Sequence, residues 1–214
     1  MDGFSGIIQT DGYGGYNTVS ARKEIDRAAC LAHCRRKFVD ALSTDRIQAQ
    51  FVLNLIGNIY HEDKRIAQCE DLNQQAHLRR RDLEPMFLFL KKIALVLKER
   101  SRPQSPLGKA CNYLLGQWSG LEVIMKSPQV QLDNNLVENA VRPTALGKKN
   151  WQFIGAPDTG KKSAIIYSIL LSCRCFGIDP EAYLRDVLGK LPAMTNQDDF
   201  APLIPQNWKP PIDL

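Results

Sequence analysis

Apolar side chains recur at helical spacing along most of the chain. Across residues 45–68 they fall three or four positions apart, which predicts one long amphipathic helix. A second run of this kind covers residues 86–100, and a third begins at Pro106, after Ser105 in the N-cap position. The pattern therefore places three helices in the middle of the chain.

The C-terminal part of the chain contains two further helical signals. The apolar run 163–173 is too short to cross a bilayer and predicts a buried helix, which Asp158 or Thr159 would cap. Residues 179–191 predict a last helix that begins with an Asp-Pro pair. The proline-containing tail, residues 192–214, is expected to be mostly extended.

Two short segments near the N-terminus favour β-structure. Residues 6–10 form an apolar run that ends at Asp11, and a glycine-rich turn with two tyrosines follows it. Residues 26–33 are the second candidate strand, after which residues 34–42 return to a helical pattern. The predicted fold class is therefore mainly α (α+β), with two short strands.

The stretch LDNNLVENAVRP, residues 132–143, combines the signals of a helix start with a single acid. Asn134 and Asn135 are poor helix formers but good N-cap residues, and Glu138 follows them in the first turns. Pro143 is expected to end this helix. The stretch itself leaves open whether Glu138 is a surface carboxylate or a group placed for chemistry.

Basic residues are concentrated in two regions. Residues 22–37 carry six basic groups against two acids, and residues 142–162 carry five against one. The second region is rich in glycine and lysine and predicts a loop with a short hairpin around Trp151. Such a loop suits contact with nucleic-acid phosphates and stacking on a base, although a solvated loop would have the same composition.

The whole composition narrows the class of protein. A hydrophobic content of 44% with 24% charged residues is typical of a globular chain, and a net charge of +5 permits a nucleic-acid partner without requiring one. The six cysteines form no C-x-x-C pair, and the first residues do not resemble a signal peptide. We therefore expect a cytoplasmic protein with reduced thiols and no membrane partner.

Two carboxylates stand out by their context. Asp11 ends an apolar strand, and Glu138 lies early in a capped helix. If the fold brings them together, their oxygens suit Mg²⁺ or Mn²⁺, and two such ions can promote phosphoryl transfer. Residues of both kinds are also common as turn and helix-dipole residues, so spacing alone leaves both interpretations open.

The cysteines offer a second, weaker site. Cys30, His33 and Cys34 resemble half of a zinc site, but the chain has no second half with matching spacing. A packing role is the preferred interpretation for these three residues. Cys173 and Cys175 lie in the apolar run and are expected to belong to the core.

Five motifs, in order, resemble the transposases of insertion sequence 66. They are GIIQTDGYGGYN, CLAHCRRKF, LDNNLVENAVRP, LGKKNWQFIGAPDTGKKSAIIYSILLSC and DPEAYLRDVL, and together they cover nearly the whole chain. The resemblance implies a DDE-type enzyme with an RNase H-like core, which cuts DNA and joins its 3′ ends to a target. It also implies four segments: a remnant of the core (1–42), a helical insertion (43–130), the acid helix with a basic loop and the last helices (131–191), and the tail (192–214).

The resemblance assigns roles to individual residues. Asp11 matches the second metal-binding acid and Glu138 the third, with Mg²⁺ or Mn²⁺ as the cofactor, which two acids without the first are expected to bind only weakly. Arg142 is one turn beyond Glu138 and would orient that carboxylate or touch DNA. The other candidate DNA contacts are Lys148, Lys149, Trp151, Lys161, Lys162, Arg35 and Arg36, and the supporting residues are Asn134, Asn135 and His33.

The chain departs from the family pattern at its first acid. That acid lies upstream of the QTDGY motif in the family, and Asp2 is not expected to replace it. The 214 residues alone are therefore expected to be inactive in strand transfer, and to need an upstream transposase portion or an intact transposase as partner. A nucleoid-associated protein that binds the ends of the insertion sequence and its target, with possible self-association, is the first hypothesis. The alternative is a non-catalytic DNA-binding or protein-interaction remnant that modulates an intact transposase.

Overall fold

The computed structural model describes residues 3–153 and 155–211. Within them, strand β1 (Gly6–Gln9) pairs in parallel with strand β2 (Ile25–Ala28), from Gly6 opposite Ile25 to Gln9 opposite Ala28. The two strands confirm the predicted mainly α (α+β) class. The second strand is shorter than predicted, because helix α2 already begins at Leu31.

The connection between the strands is short and mostly non-regular. It contains a 3-10 turn (Gly14–Tyr16) and a single helical turn, α1 (Asn17–Ser20). The ladder continues past β1, since the Thr10 amide donates to the carbonyl of Ala28 at 3.1 Å. The chain therefore leaves the sheet directly at Asp11.

Further helical segments follow in the first of two compact units, which covers residues 1–135, and a 3-10 turn (Ala41–Ser43) lies between the first two of them. The segments are α2 (Leu31–Asp40), α3 (Arg46–Ile66), α4 (Leu72–Leu78), a π-helical turn (Arg79–Leu83), α5 (Glu84–Arg100), α6 (Pro106–Gly116) and α7 (Trp118–Lys126). The Ser105 hydroxyl accepts from the Gly108 amide, as the Ser-Pro signal predicts. The prediction of three helices was incomplete: the charged stretch before Pro85 is helical, and the third helix is interrupted at Gln117.

The core of this unit is built mainly by these helices. Its largest fully buried side chains include Phe38, Ile56, Phe87, Leu114 and Ile124. Helix α7 approaches the end of β2 so closely that a Cβ atom on Gly120 would lie 2.8 Å from the Ala29 amide nitrogen. The carbonyl of Gly120 accepts from that same amide at 3.1 Å. The strand pair is thus covered by a helix, as a two-stranded sheet requires.

The second compact unit covers residues 136–214 and is largely helical. Helix α8 (Asn135–Trp151) enters it, followed by α9 (Pro157–Cys175) and α10 (Pro180–Lys190). Asp179 caps α10, as predicted, by accepting from the amides of residues 181 and 182. The small buried cluster of the second unit consists of Cys173, Tyr183, Val187 and Trp208.

Several predictions for this unit were wrong. Helix α8 continues through Pro143 to Trp151, so residues 144–151 form neither the expected loop nor a hairpin. Helix formers on both sides of the proline, such as Ala140, Ala145 and Leu146, favour continuation of the helix. Helix α9 begins after Ala156 without a side-chain cap, so neither Asp158 nor Thr159 caps it.

The apolar run in α9 is also less buried than its composition suggests. Ile165 and Ile166 are 61% and 56% exposed, whereas Cys173 is buried. Cys175 is exposed, which corrects its assignment to the core. The apolar character of this helix is distributed around its whole circumference, so the small cluster of the unit covers only part of it.

The tail is more structured than an extended segment. It forms 3-10 turns at Leu191–Ala193 and Ala201–Leu203. The Trp208 ring packs edge-on against Tyr183 at 5.5 Å, and its indole N–H donates to Asp186 Oδ2 at 2.8 Å. Asp2 and the last three residues of the tail lie outside the described residues. In the part of the chain that the structure describes, no helix is long and apolar enough to cross a membrane.

Candidate metal site and DNA-binding surface

Asp11 lies where β1 ends, in a turn that is held by backbone contacts. Its carboxylate is half-buried, and Oδ1 accepts from the Tyr13 amide at 3.2 Å. Arg27 on β2 braces the same turn: Nε donates to Thr10 Oγ1 at 2.7 Å and Nη2 to the Asp11 carbonyl at 2.6 Å. Its Nη1 also donates to Asn17 Oδ1 at 2.9 Å. Arg27 therefore fixes the backbone from which the Asp11 carboxylate projects.

The turn after Asp11 is packed against helix α6. A Cβ atom on Gly12 would come 2.5 Å from Tyr113 Oη, so a larger residue here would have to displace the Tyr113 ring. Burial raises the pKa of Tyr113, and Lys37 Nζ lies 5.6 Å from the centre of its ring. Helix α6 thus packs against the turn that follows the candidate acid.

Gln9 links the strand end to the segment that leads into α8. Its Nε2 donates to the carbonyl of Ala29 at 3.1 Å and to that of Gln131 at 2.8 Å. The Leu31 amide donates to the Leu132 carbonyl at 2.9 Å in the same region. The approach to the Glu138 helix is therefore tied to the strand that ends at Asp11.

A buried arginine holds the segment between α7 and α8 by hydrogen bonds to its carbonyls. Arg79 is 5% exposed, and its Nη1 donates at 2.9–3.0 Å to the carbonyls of Ile124, Ser127 and Val130. Its Nη2 lies 2.8 Å from Asp63 Oδ1. Burial raises the pKa of the Asp63 carboxyl, and the guanidinium opposes that shift. Arg79 thereby satisfies carbonyls at the end of α7 and in the loop beyond it.

Asp133 connects α3 to the start of α8. Its Oδ2 accepts from Tyr60 Oη at 2.8 Å, and its Oδ1 accepts from the Asn135 amide at 3.1 Å. Burial, and then the bond to Asp133, raise the pKa of Tyr60. Asn134, a predicted supporting residue, is half-buried, and its Oδ1 has no hydrogen-bond partner within the described ranges. The helix that carries Glu138 therefore begins at a well-defined point.

Helix α2 presents the first group of predicted DNA contacts. Arg35 and Arg36 are exposed and line a cleft of about 490 Å³, together with Tyr60, Asp133 and Asn135. This cleft places two cationic side chains beside the start of α8.

Two cysteines, one in α2 and one just before it, face the core of the first unit. Cys30 and Cys34 are both buried, and burial raises the pKa of the Cys34 thiol to about 12. A thiol must lose its proton to bind zinc, so this environment favours the packing role. His33, between them, is half-buried. The described residues contain no group of three or more His, Cys, Asp or Glu side chains that could hold a metal.

Glu138 lies in the first turn of α8, in the second unit, and is half-buried. Arg142 and Lys149 follow it by four and eleven positions, which are about one and three helical turns, so all three project from the same side of the helix. An acid four residues before an arginine is also a favourable helical pair. Asp11 belongs to the first unit, and its association with Glu138 stays a prediction.

Five exposed basic side chains lie on α8 and on the first turns of α9. Arg142, Lys148, Lys149, Lys161 and Lys162 are all exposed, and Trp151 is 48% exposed. Lys161 lies 3.5 Å from Asp158, an exposed pair that neutralises little of this charge. The surface can therefore attract an anionic backbone.

The sequence did not indicate Arg27, Gln9, Tyr60 or Arg79. Their partners are 10 to 122 residues away along the chain, so no local pattern contains the signal. The sequence offered one hint for Arg79 alone: it follows the apolar Leu78, and an arginine beside an apolar position can be buried with its guanidinium paired.

Comparison with known proteins supports the family resemblance. The model of the family described as Transposase IS66 matches residues 1–162, and the IS66 C-terminal element matches residues 168–206. The chain is 33% identical over 216 residues to the uncharacterized protein y4jD of Sinorhizobium fredii, and 30% identical to y4hP and y4qI of the same organism. These alignments cover 96%, 98% and 98% of this chain but only 42%, 41% and 40% of the relatives. No solved structure matches.

Proposed function

Because the chain belongs to the IS66 family of transposases, we propose that it carries the second and third acids of a DDE-type active site. Asp11 and Glu138 are the two carboxylates in question. The observation that carries the proposal is the family match over residues 1–162, which contains both motifs, together with the braced strand-end position of Asp11. The chain spans about two fifths of the relatives' length, so the activity of the whole protein belongs to the proposal as well.

The donor chemistry fits Mg²⁺ or Mn²⁺. Carboxylate oxygens are the ligands these hard cations prefer, and Asp11 and Glu138 would hold the metal. When bound, the metal supplies an activated water or hydroxyl and stabilises the leaving oxygen in phosphoryl transfer. The RNase H-like character of the core and the four-segment division of the chain belong to this proposal.

The contribution of the first unit, in this proposal, is to fix the turn at Asp11 and the residues that lead into the Glu138 helix. Arg27 and Gln9 fix the strand end at Asp11, while Arg79, Tyr60 and Asp133 fix the start of the Glu138 helix. Sites held on rigid elements keep their ligands within the narrow range that phosphoryl transfer needs. In this proposal the helical insertion is the framework that positions the acids.

DNA is the proposed substrate. The cations of α8 and α9 would contact phosphates, and such contacts are sequence-independent and strongly dependent on salt. Arg142 would orient Glu138 or touch the DNA, and Arg35 and Arg36 would extend the contact from the first unit. The partners in this proposal are the ends of the insertion sequence, target DNA, an upstream transposase portion and a second copy of the chain.

A DNA cleavage and joining assay tests the proposal. The 214-residue polypeptide alone supplies two acids, so we expect no strand transfer from it on insertion-sequence ends with Mg²⁺ or Mn²⁺. Addition of a polypeptide that carries the first acid should restore the reaction, and Asp11→Asn or Glu138→Gln should abolish it. Activity that survives both substitutions would refute the assignment. Salt-dependent DNA binding without any metal effect would instead favour the non-catalytic alternative.

A further inference from the structure

A cleft of about 330 Å³ lies between α8 and α9 within the second unit. Its walls are almost entirely apolar, and two aromatic rings, those of Trp151 and Tyr167, stand among them. The remaining lining residues are Val141, Thr144, Ala145, Lys148, Gly160, Ser163 and Ala164. An apolar cleft with a few polar groups at its edge is the usual form of a small-ligand site.

The two rings form a partly open pair. Their centres are 6.0 Å apart and their planes are inclined by 38°. A Cβ atom on Gly147 would lie 2.9 Å from Tyr167 Oη and 3.0 Å from Trp151 Cη2, so the glycine makes room for both rings. Trp151 remains 48% exposed beside this cleft. A half-exposed tryptophan next to an apolar cleft offers a large flat surface for another ring.

The charge around the cleft selects the ligand class. Lys148 lines the cleft, and Lys149, Lys161 and Lys162 are exposed on the same two helices, whereas Asp158 is the one acid of residues 142–162. A nucleotide consists of a flat, weakly polar ring attached to an anionic backbone. The ring complements the apolar cleft, and the backbone complements the lysines. Paired bases in a duplex are stacked and cannot enter, so the ligand must be unpaired.

We infer that this cleft binds an unpaired nucleobase of a DNA strand while the lysines contact the neighbouring phosphates. The base would lie against the rings of Trp151 and Tyr167 and would be held by stacking on them. The inference rests on the proposed function, in which the chain binds DNA. The cleft would then let the chain bind a frayed or single-stranded DNA end more tightly than a fully paired end.

Fluorescence anisotropy with charge-matched DNA probes tests the inference. One probe is a duplex with a tail of four thymidines, and the other has the same tail of abasic sugar-phosphates. Because both carry the same phosphates, their difference in Kd reports on the bases alone. We expect the thymidine tail to bind roughly ten-fold more tightly, the effect of stacking one base on aromatic side chains.

Variants locate the effect in the cleft. Trp151→Leu and Tyr167→Leu should each lower the ratio of the two Kd values to about one. Phe153→Leu is the matched control, because Phe153 is 77% exposed but does not line the cleft, and it should keep the ratio of the native chain. Circular dichroism shows whether each variant is folded. If one cleft variant fails to fold, the other still tests the inference.

The outcomes separate this inference from the proposed function. A native chain that binds both tails equally, or a Phe153→Leu variant that loses the preference as fully as Trp151→Leu, would overturn the cleft assignment. Tight, salt-dependent binding of a blunt duplex in that case would leave the proposed DNA-binding function intact. Failure to bind any duplex would overturn both.

Discussion

The two compact units differ in how completely they bury their apolar side chains. The first has a continuous core in which side chains from β2 and from helices α2, α3, α5, α6 and α7 are fully buried, and polar side chains such as Arg79 satisfy carbonyls beside it. The second has a cluster of four buried residues, and Ile165 and Ile166 of α9 remain more than half exposed. The first unit therefore contains the stabilising interactions of a self-sufficient domain, and the second contains few of them. The exposed cations of α8 and α9 and the aromatic cleft, which the proposals assign to DNA, both belong to this second unit.

The largest expected effect lies in the first unit. Arg79→Met removes the three carbonyl contacts and leaves Asp63, which is only 17% exposed, without its ion-pair partner. Loss of one partner of a buried pair costs about 3–5 kcal/mol of unfolding free energy. Urea denaturation followed by circular dichroism measures it. Arg80→Met, in the same turn but exposed, should change stability by less than about 0.5 kcal/mol. Equal effects of the two substitutions would show that the buried contacts do not matter.

The second prediction concerns the second unit and has the opposite sign. Pro143 lies inside α8, where proline removes a backbone hydrogen bond and costs about 3 kcal/mol. Pro143→Ala should therefore slow amide hydrogen exchange in α8 by up to about a hundred-fold. Pro157→Ala is the control, because Pro157 occupies the first turn of α9, where proline is tolerated. Unchanged exchange in α8 would indicate that the helix does not continue through Pro143 in solution.

The third prediction tests the contact between α7 and the end of β2. A Cβ atom at position 120 would collide with the backbone of Ala29, so Gly120→Ala should destabilise the first unit by about 1–3 kcal/mol. Gly57→Ala is the matched control, since that position in α3 has open space for a methyl group. It should stabilise the protein by about 0.5–1 kcal/mol, because alanine favours a helix over glycine. Thermal unfolding of both variants measures the difference, and the same sign for both would contradict the close approach.

The smallest effect concerns Tyr60, and it depends on pH. Tyr60→Phe removes the hydrogen bond to Asp133 and should cost about 1 kcal/mol near neutral pH. The folded state raises the pKa of Tyr60, so above about pH 10 the unfolded tyrosine ionises first and releases its proton. The advantage of the native chain over Tyr60→Phe should therefore shrink above about pH 10. A difference that grows with pH, in urea titrations at a series of pH values, would contradict this environment for Tyr60.

The sequence predicted what local patterns determine. The long helix expected at 45–68 is Arg46–Ile66, and the Asp-Pro and Ser-Pro signals mark the true starts of α10 and α6. Two kinds of feature escaped it. Helix α8 overrides the breaker Pro143 because good helix formers surround it, and Arg79 acts through carbonyls 45 to 51 positions away, which no local pattern records. The motifs nominate Asp11 and Glu138 as metal-binding acids, which stays a prediction. By contrast, the contacts of Arg27, Tyr60 and Arg79 were visible only in the fold.

Iron-mediated cleavage of the protein backbone tests most directly whether Asp11 and Glu138 hold one metal. Fe²⁺ accepts the same oxygen ligands and, with ascorbate and peroxide, generates radicals that cut the chain close to the bound ion. The proposal predicts cuts near residues 11 and 138 together, with both sets lost in Asp11→Asn and both lost in Glu138→Gln. Cuts near one residue alone, or cuts that survive either substitution, would contradict a shared metal site.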